Sequence, residues 1–186
     1  MGLDMYLEQR HYVGNKHRKR ESRLKIIEPK DKTGKLFQMD KIDQKHITHV
    51  RTEAGYWRKA NHIHKWFVDN VQGGEDDCKP YRVHKKQLKE LLDSVDKVLE
   101  STTLIEATIR NGYTTDDKGN KIWETEKGKK LKNKTIAKKL LPTTDGFFFG
   151  GAQYDQWYWE DLQDTKKILE KAMKQIHSDF YYRASW

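Results

Sequence analysis

Three stretches of the chain place apolar residues at intervals of three and four, the spacing of one side of an α-helix. These stretches are 55–71, 85–100 and 154–177. The apolar positions of the first are Tyr56, Ala60, Ile63, Phe67 and Val71. The pattern predicts three principal helices, and one or two further helical turns over 135–141, where Pro142 ends the segment.

Other stretches alternate apolar and polar residues, which is typical of half-buried β-strands. The strands predicted in this way cover 2–13, 22–28, 45–53, a short segment around Tyr81 and Val83, and an edge strand within 179–186. Strands and helices mixed along the chain predict one α+β domain over 1–186. We expect about three helices to pack on a small, mainly antiparallel sheet.

Residues 102–134 differ from their surroundings and indicate a β-hairpin. Turn residues centred on Gly119 separate two alternating segments, and Tyr113 and Trp123 are placed to pair across them. A two-stranded ribbon buries little apolar surface by itself. We therefore interpret 102–134 as a basic hairpin inserted into the main domain.

The charge of the chain favours an anionic partner. Its 186 residues include 37 lysines and arginines against 28 acids, a formal net charge of +9. One basic run covers 16–25. A denser one, 127–139, has no acid and contains Lys127, Lys129, Lys130, Lys132, Lys134, Lys138 and Lys139. Such runs attract nucleic acid, nucleotides or an acidic protein surface.

Catalytic signatures are missing from the sequence. It contains no Gly-x-Ser-x-Gly motif and no Walker phosphate loop, and its single cysteine, Cys78, excludes an intrachain disulfide. His62 and His64 are two residues apart, so on a helix they point about 200° apart and do not chelate one ion. We expect no catalytic residue, metal or cofactor.

The cytoplasm of a host cell is the expected location. No apolar run approaches the length that spans a membrane, and residues 1–13 lack the layout of a signal peptide. The single cysteine suits a reducing compartment. We expect no membrane partner, and the sequence does not indicate an oligomeric state.

Tryptophans that do not fit the helical stripes are candidate contacts, because exposed indoles anchor interfaces and stack on bases. We expect this role for Trp57 and Trp157. On the first predicted helix, Arg58, Asn61 and His62 lie mostly opposite the apolar stripe. These three polar residues are expected to contact a partner.

Three motifs resemble a widespread group of small phage-encoded proteins: MGLDMYL at 1–7, GYWRKAN at 55–61 followed by HKWF, and LLP at 140–142 followed by GFFFG. The resemblance covers the chain ends and the first helix, and leaves 102–134 outside the shared pattern. It transfers no catalytic residue. It implies the genomic context of small accessory phage proteins, which include counter-defence factors such as anti-CRISPR proteins.

The sequence therefore predicts a non-enzymatic binding protein. We expect a counter-defence inhibitor that binds a host nuclease or ribonucleoprotein complex, a CRISPR nuclease such as Cas9, through the lysines of 127–139 and exposed aromatic residues. Two alternatives remain open. One is a DNA- or RNA-binding module. The other is a protein that sequesters a nucleotide signal, or a small enzyme, with a deep pocket between the Gly55 and Phe147 segments where Arg58, Asn61 and His62 converge on a phosphate.

Overall fold

A computed structural model describes residues 2–19, 43–146, 149–175 and 179–186. The strands are β1 (Asp4–Tyr12), β2 (His49–Arg58), β3 (Tyr81–Val83), β4 (Leu104–Thr115), β5 (Lys121–Leu131) and β6 (Asp179–Ser185). The helices are α1 (Asn61–Asn70), α2 (Lys85–Ser101), α3 (Thr135–Leu140) and α4 (Gln156–Met173). These elements confirm the predicted α+β class. The strand predicted over 22–28 lies outside the described residues.

A four-stranded antiparallel sheet in the order β2-β1-β6-β3 supports the helices. Alternate residues of each strand face the helices and are buried. These residues are Met5, Leu7, Trp57, Val83, Phe180, Tyr182 and Ala184. The ring of Phe67 on α1 stacks on Tyr182, with centroids 3.9 Å apart. Helix α1 therefore packs on the centre of the sheet, and the alternation predicted at the start of the chain is confirmed.

The predicted helix over 55–71 begins only at Asn61, because the preceding residues continue strand β2. Lys59 turns the chain with a left-handed φ of 60°, and its N–H donates to the carbonyl of Leu3 at 2.8 Å. Tyr56 is therefore not on a helical stripe. It lies on the face of the sheet opposite the helices, and 40% of its surface is exposed.

Gly55 allows helix α4 to lie close to β2. A Cβ at this position would be 2.3 Å from Cγ2 of Ile168, which is closer than two carbon atoms can approach. Near this contact, Nε1 of Trp57 donates to Oγ1 of Thr165 at 2.8 Å. The glycine of the GYWRKAN motif is thus explained by helix–sheet packing.

Outside the hairpin, three of the remaining elements match the prediction and two depart from it. Helix α3 confirms the helical turns predicted over 135–141. Helix α2 confirms the amphipathic segment predicted over 85–100, and β3 confirms the short strand around Tyr81 and Val83. Helix α4 is shorter than predicted, because its N-cap is Asp155 and its last residue is Met173. Strand β6 is not an edge strand. It pairs with β1 on one side and β3 on the other.

The predicted hairpin is confirmed as the pair β4 and β5. Tyr113 lies opposite Trp123, with ring centroids 5.5 Å apart, and Gly119 occupies the turn with a φ of 80°. At its base, Leu104 pairs with Leu131; Leu131 belongs to the main hydrophobic cluster and Leu104 packs against it. The hairpin is therefore anchored in the core at one end and largely exposed at the other.

Candidate functional site

The seven lysines between 127 and 139 follow one another from β5, through the loop after it, to α3. We call 127–139 the lysine-rich segment. All seven side chains are exposed. The structure therefore makes every one of these predicted contact residues accessible to a partner.

These lysines have fewer carboxylate partners than the lysines on helices α2 and α4. Four of the seven lysines on α2 and α4 lie within ion-pair distance of a carboxylate, for example in the pairs Lys86–Glu90, Lys89–Asp93, Lys166–Asp96 and Lys167–Asp164. Among the described residues, Lys129 is the only lysine of the lysine-rich segment that lies within ion-pair distance of a carboxylate. Its partner is Glu106, at 3.7 Å. Uncompensated positive charge is therefore concentrated in this segment, where it attracts anions.

Hydrogen bonds fix strand β5 to the start of α4 and so bring Trp157 close to the lysine-rich segment. The N–H of Leu131 donates to the carbonyl of Tyr154 at 2.9 Å, and the N–H of Lys129 donates to Oε1 of Gln156 at 2.9 Å. Trp157 follows directly and is 49% exposed. An exposed indole at this junction of α4 with β5 is able to anchor an interface through its apolar area.

A shallow depression of about 440 Å³ lies between the end of α2 and helix α3. It is lined by Lys97, Glu100, Ser101, Ile136, Lys139 and Leu140. Half-buried Ile136 and Leu140 provide apolar surface, while Lys97 and Lys139 provide charge. This combination suits an acidic protein segment that also carries apolar side chains.

Trp57 is not available as a surface contact, which corrects the expectation for this residue. Its exposure is 3%, because it lies on the inward face of β2, and its indole N–H is used by Thr165. Trp66 is also buried, at 8% exposure. The helical phase used to place Trp57 was wrong, because this residue is in a strand.

Asn61 is also buried, and all of its side-chain polar groups are used within the protein. Its Nδ2 donates to the carbonyls of Phe149 and Gly151 at 3.0 and 2.9 Å. Its Oδ1 accepts from the N–H of Thr144 at 3.0 Å. Asn61 therefore holds the loop that precedes α4, and the expectation that it contacts a ligand is corrected.

His62 is buried as well, at 2% exposure, and its ring lies against Tyr158 with centroids 4.1 Å apart. Burial lowers the pKa of its imidazole to about 3, so the ring is neutral at pH 7. Its Nε2 has no hydrogen-bond partner among the described residues. A neutral, enclosed ring does not bind an external phosphate, so this expectation is also corrected.

His64 has a structural role in the core. Its Nδ1 lies 2.8 Å from the hydroxyl of Tyr182 and its Nε2 lies 2.9 Å from Oδ2 of Asp76. His62 and His64 thus contact different partners, as expected for positions two apart on a helix. Within the described ranges, no three histidine, cysteine or carboxylate side chains are arranged to hold a metal ion.

Arg58 is exposed but does not converge with Asn61 and His62. Its Nη1 lies 3.3 Å from Oδ1 of Asp4, on the face of the sheet away from the helices. The phosphate pocket envisaged between the Gly55 and Phe147 segments therefore lacks all three of its expected groups. Residues 147 and 148 lie outside the described residues.

Sequence reasoning missed a cluster of arginines around Glu8 on that same face. The Glu8 side chain is only 7% exposed. Its Oε1 accepts from Nε of Arg183 at 2.9 Å and lies 3.3 Å from Nη1 of Arg51, while Nη2 of Arg10 lies 3.6 Å from Oε2. We call the side of the sheet that faces away from the helices the open sheet face.

A β-bulge decides which side chains of β2 reach this cluster. Leu7 pairs with Gly55 but Glu8 pairs with Glu53, so Ala54 is the extra residue. The shift turns Arg51 rather than Thr52 toward the open sheet face. The alternation of apolar and polar residues predicts each strand separately, but it does not predict how the residues of two strands are paired.

Comparison of the chain with family models, curated proteins and solved structures found no match. The resemblance to small phage-encoded proteins therefore stays a prediction based on its three motifs. Among the described helices, none combines the length and the apolar character needed to cross a bilayer.

Proposed function

We propose that this protein is a non-enzymatic inhibitor that binds a host nucleic-acid-handling complex, with a CRISPR nuclease such as Cas9 as the first candidate. The lysine-rich segment supplies the electrostatic contact and Trp157 the aromatic anchor. In this proposal the protein acts in the cytoplasm of the host cell, where it blocks the complex by occupying a surface.

One observation supports the proposal above the others. Four of the seven lysines of α2 and α4 have carboxylate partners, whereas only one of the seven in the lysine-rich segment has one among the described residues. A merely solvated surface would intersperse both signs of charge. An uncompensated patch instead speeds association with an anionic surface and helps to select it.

The adjoining depression favours a protein component in the complex over naked nucleic acid at this end. Ile136 and Leu140 add apolar contact area next to Lys139. Lysine also acts as a point charge without the paired donors by which arginine recognises bases. A nucleoprotein complex, or an acidic groove that normally receives nucleic acid, satisfies both features.

The test is capture of purified effector by the immobilised protein, with and without guide RNA. The triple variant Lys127→Gln, Lys132→Gln, Lys134→Gln removes three unpaired charges. The control Lys86→Gln, Lys89→Gln, Lys167→Gln removes three paired ones, so both variants change the net charge equally. We expect capture by the wild type and the control, and about a tenfold or greater loss of affinity in the first variant.

Trp157→Ala tests the aromatic anchor separately. We expect it to weaken capture by about tenfold, the range for a moderate interface hot spot. The indole is exposed and contributes little to the core, so the fold should be retained. The proposal is wrong if wild-type protein retains no effector in either condition, or if the two triple variants lose affinity equally.

A further inference from the structure

Arginine is concentrated on the open sheet face, whereas lysine dominates the rest of the chain. Five of the nine arginines in the sequence face this side: Arg10, Arg51, Arg58, Arg82 and Arg183. Carboxylates on the same face are Asp4, Glu8, Glu53 and Asp179. Around Glu8, however, three guanidinium groups share one carboxylate, so several of their N–H donors remain for a ligand.

Tyrosine rings lie between these guanidinium groups. The rings of Tyr6 and Tyr56 have centroids 5.3 Å apart, and the guanidinium carbon of Arg183 lies 4.2 Å from the centroid of Tyr6. Arg10 lies 3.8 Å over the ring of Tyr181 in the same way. Tyr56 is 40% exposed, which leaves much of its ring available for stacking.

Arg51 is the most accessible member of the cluster. Its side chain is 63% exposed, against 34% for Arg183 and 31% for Arg10. Glu8 holds Arg51 and Arg183 on either side of one carboxylate, which limits the rotamers of these long side chains. Glu8 is therefore a positioning residue that orients guanidinium groups at the surface.

A shallow cleft of about 230 Å³ is formed at this cluster by Tyr6, Glu8, Arg51, Thr52, Glu53 and Arg183. It is smaller than the pockets of roughly 300–1,000 Å³ that enclose drug-sized ligands. Its size suits one flat ring and an adjacent anionic group, and the face continues beyond it along the strands. A chain of repeating flat and anionic units fits this shape better than a compact ligand.

We propose that the open sheet face binds single-stranded nucleic acid, with a base stacked on Tyr56 and Tyr6 and the neighbouring phosphate bound by Arg51 and Arg183. Aromatic rings on an exposed four-stranded sheet stack unpaired bases, and guanidinium groups bind phosphate through two parallel N–H donors. Duplex DNA hides its base faces, so it uses only the phosphate part of this surface. The inference does not depend on the proposed function.

The experiment measures fluorescence anisotropy of a labelled oligonucleotide of about 12 nucleotides, single-stranded or as a duplex, with the full-length protein. We expect tighter binding of the single strand. Tyr56→Leu and Arg51→Gln are each expected to weaken it by about tenfold, while Tyr56→Phe keeps wild-type affinity because the ring is retained. Arg51→Gln changes a side chain that is mostly exposed, so the fold is retained.

Lys86→Gln on α2 is the charge-matched control for Arg51→Gln, since Lys86 is exposed and lies on a helix, whereas this face is the side of the sheet away from the helices. Tyr56→Leu is also expected to bring the ratio of single-strand to duplex affinity close to one. The inference is overturned by a wild-type preference for the duplex, by equal losses in Arg51→Gln and Lys86→Gln, or by unchanged binding in Tyr56→Leu. Competition by AMP at an affinity equal to that of the oligonucleotide would indicate a mononucleotide site and overturn it as well.

Discussion

At the scale of single residues, Glu8 is a nearly buried carboxylate on the sheet that is surrounded by positive charges. Its carboxylate is 7% exposed and contacts three guanidinium groups. Removing the carboxylate leaves these positive charges facing one another. The cost is moderated by solvent, because each arginine is at least about a third exposed.

We predict that Glu8→Gln lowers the free energy of unfolding by about 1–2 kcal/mol, measured by urea denaturation. Glu53→Gln is the matched control, since Glu53 lies opposite Glu8 in the register but is exposed. Equal stability of Glu8→Gln and wild type would show that the arginine cluster does not need its carboxylate.

His62 gives the fold a pH dependence of known sign. Burial lowers the pKa of its ring to about 3, from 6.5 in the unfolded chain. Between these values the unfolded chain binds a proton that the folded protein does not, so stability falls as the pH is lowered from about 6.5 toward 3. The slope from one such group is about 1.4 kcal/mol per pH unit.

We therefore expect the wild type to lose stability relative to His62→Phe as the pH falls, by about 1.4 kcal/mol per unit. Urea denaturation at several pH values below 7 measures the difference, in which the contributions of the carboxylates cancel. His49→Phe is the control for replacing an imidazole by a phenyl ring, because His49 is exposed. Parallel curves for His62→Phe would contradict the buried neutral ring.

At the scale of elements, the contact between α4 and β2 depends on the missing side chain of Gly55. Ile168 fills the space that a Cβ would occupy, at 2.3 Å. The same Ile168 side chain also packs against the buried hydrophobic cluster. Gly55 and Ile168 should therefore be energetically coupled.

We predict that Gly55→Ala destabilises the protein by about 1–3 kcal/mol, because the added methyl forces α4 away from the sheet. In an Ile168→Ala background the same substitution should cost much less, and thermal denaturation of the four proteins in the cycle measures this. Gly151→Ala is the control, since a Cβ at this position would meet no atom within 4 Å apart from those of its chain neighbours. If the destabilising effects of Gly55→Ala and Ile168→Ala were additive, the two positions would not be energetically coupled.

At the scale of the whole molecule, the exposed part of the hairpin contributes little to the core. Leu131 belongs to the main cluster and Leu104 packs against it, but no described residue of the hairpin beyond Glu106 and Lys129 does either. The two surfaces assigned above are also separate: the lysine-rich segment starts on β5 next to α4, while the open sheet face lies on the side of the sheet away from the helices.

We expect a chain in which 107–128 are replaced by Asn-Gly to fold cooperatively, because Glu106 and Lys129 are paired in register and a two-residue turn joins such strands. A single sharp transition in urea, with some loss of stability from Ile109, is the expected result. Loss of the transition would show that the hairpin is integral to the domain.

The sequence by itself determined the features that depend on local chemistry. The amphipathic helix α2, the turn at Gly119 and the uncompensated lysine-rich segment follow from neighbours within a few positions. The exposure of Trp157 was expected for the same reason, because its helical phase was assigned correctly.

Tertiary structure alone decided which residues meet across the chain. Lys59 ends strand β2 at a corner held by the carbonyl of Leu3, and that corner buries Trp57 instead of exposing it. The bulge at Ala54 brings Arg51 to Glu8, 43 positions earlier in the chain. The register of the strands and the corners of the chain are set by contacts between segments that are distant in the sequence, so a local periodicity does not predict them. These contacts formed the open sheet face.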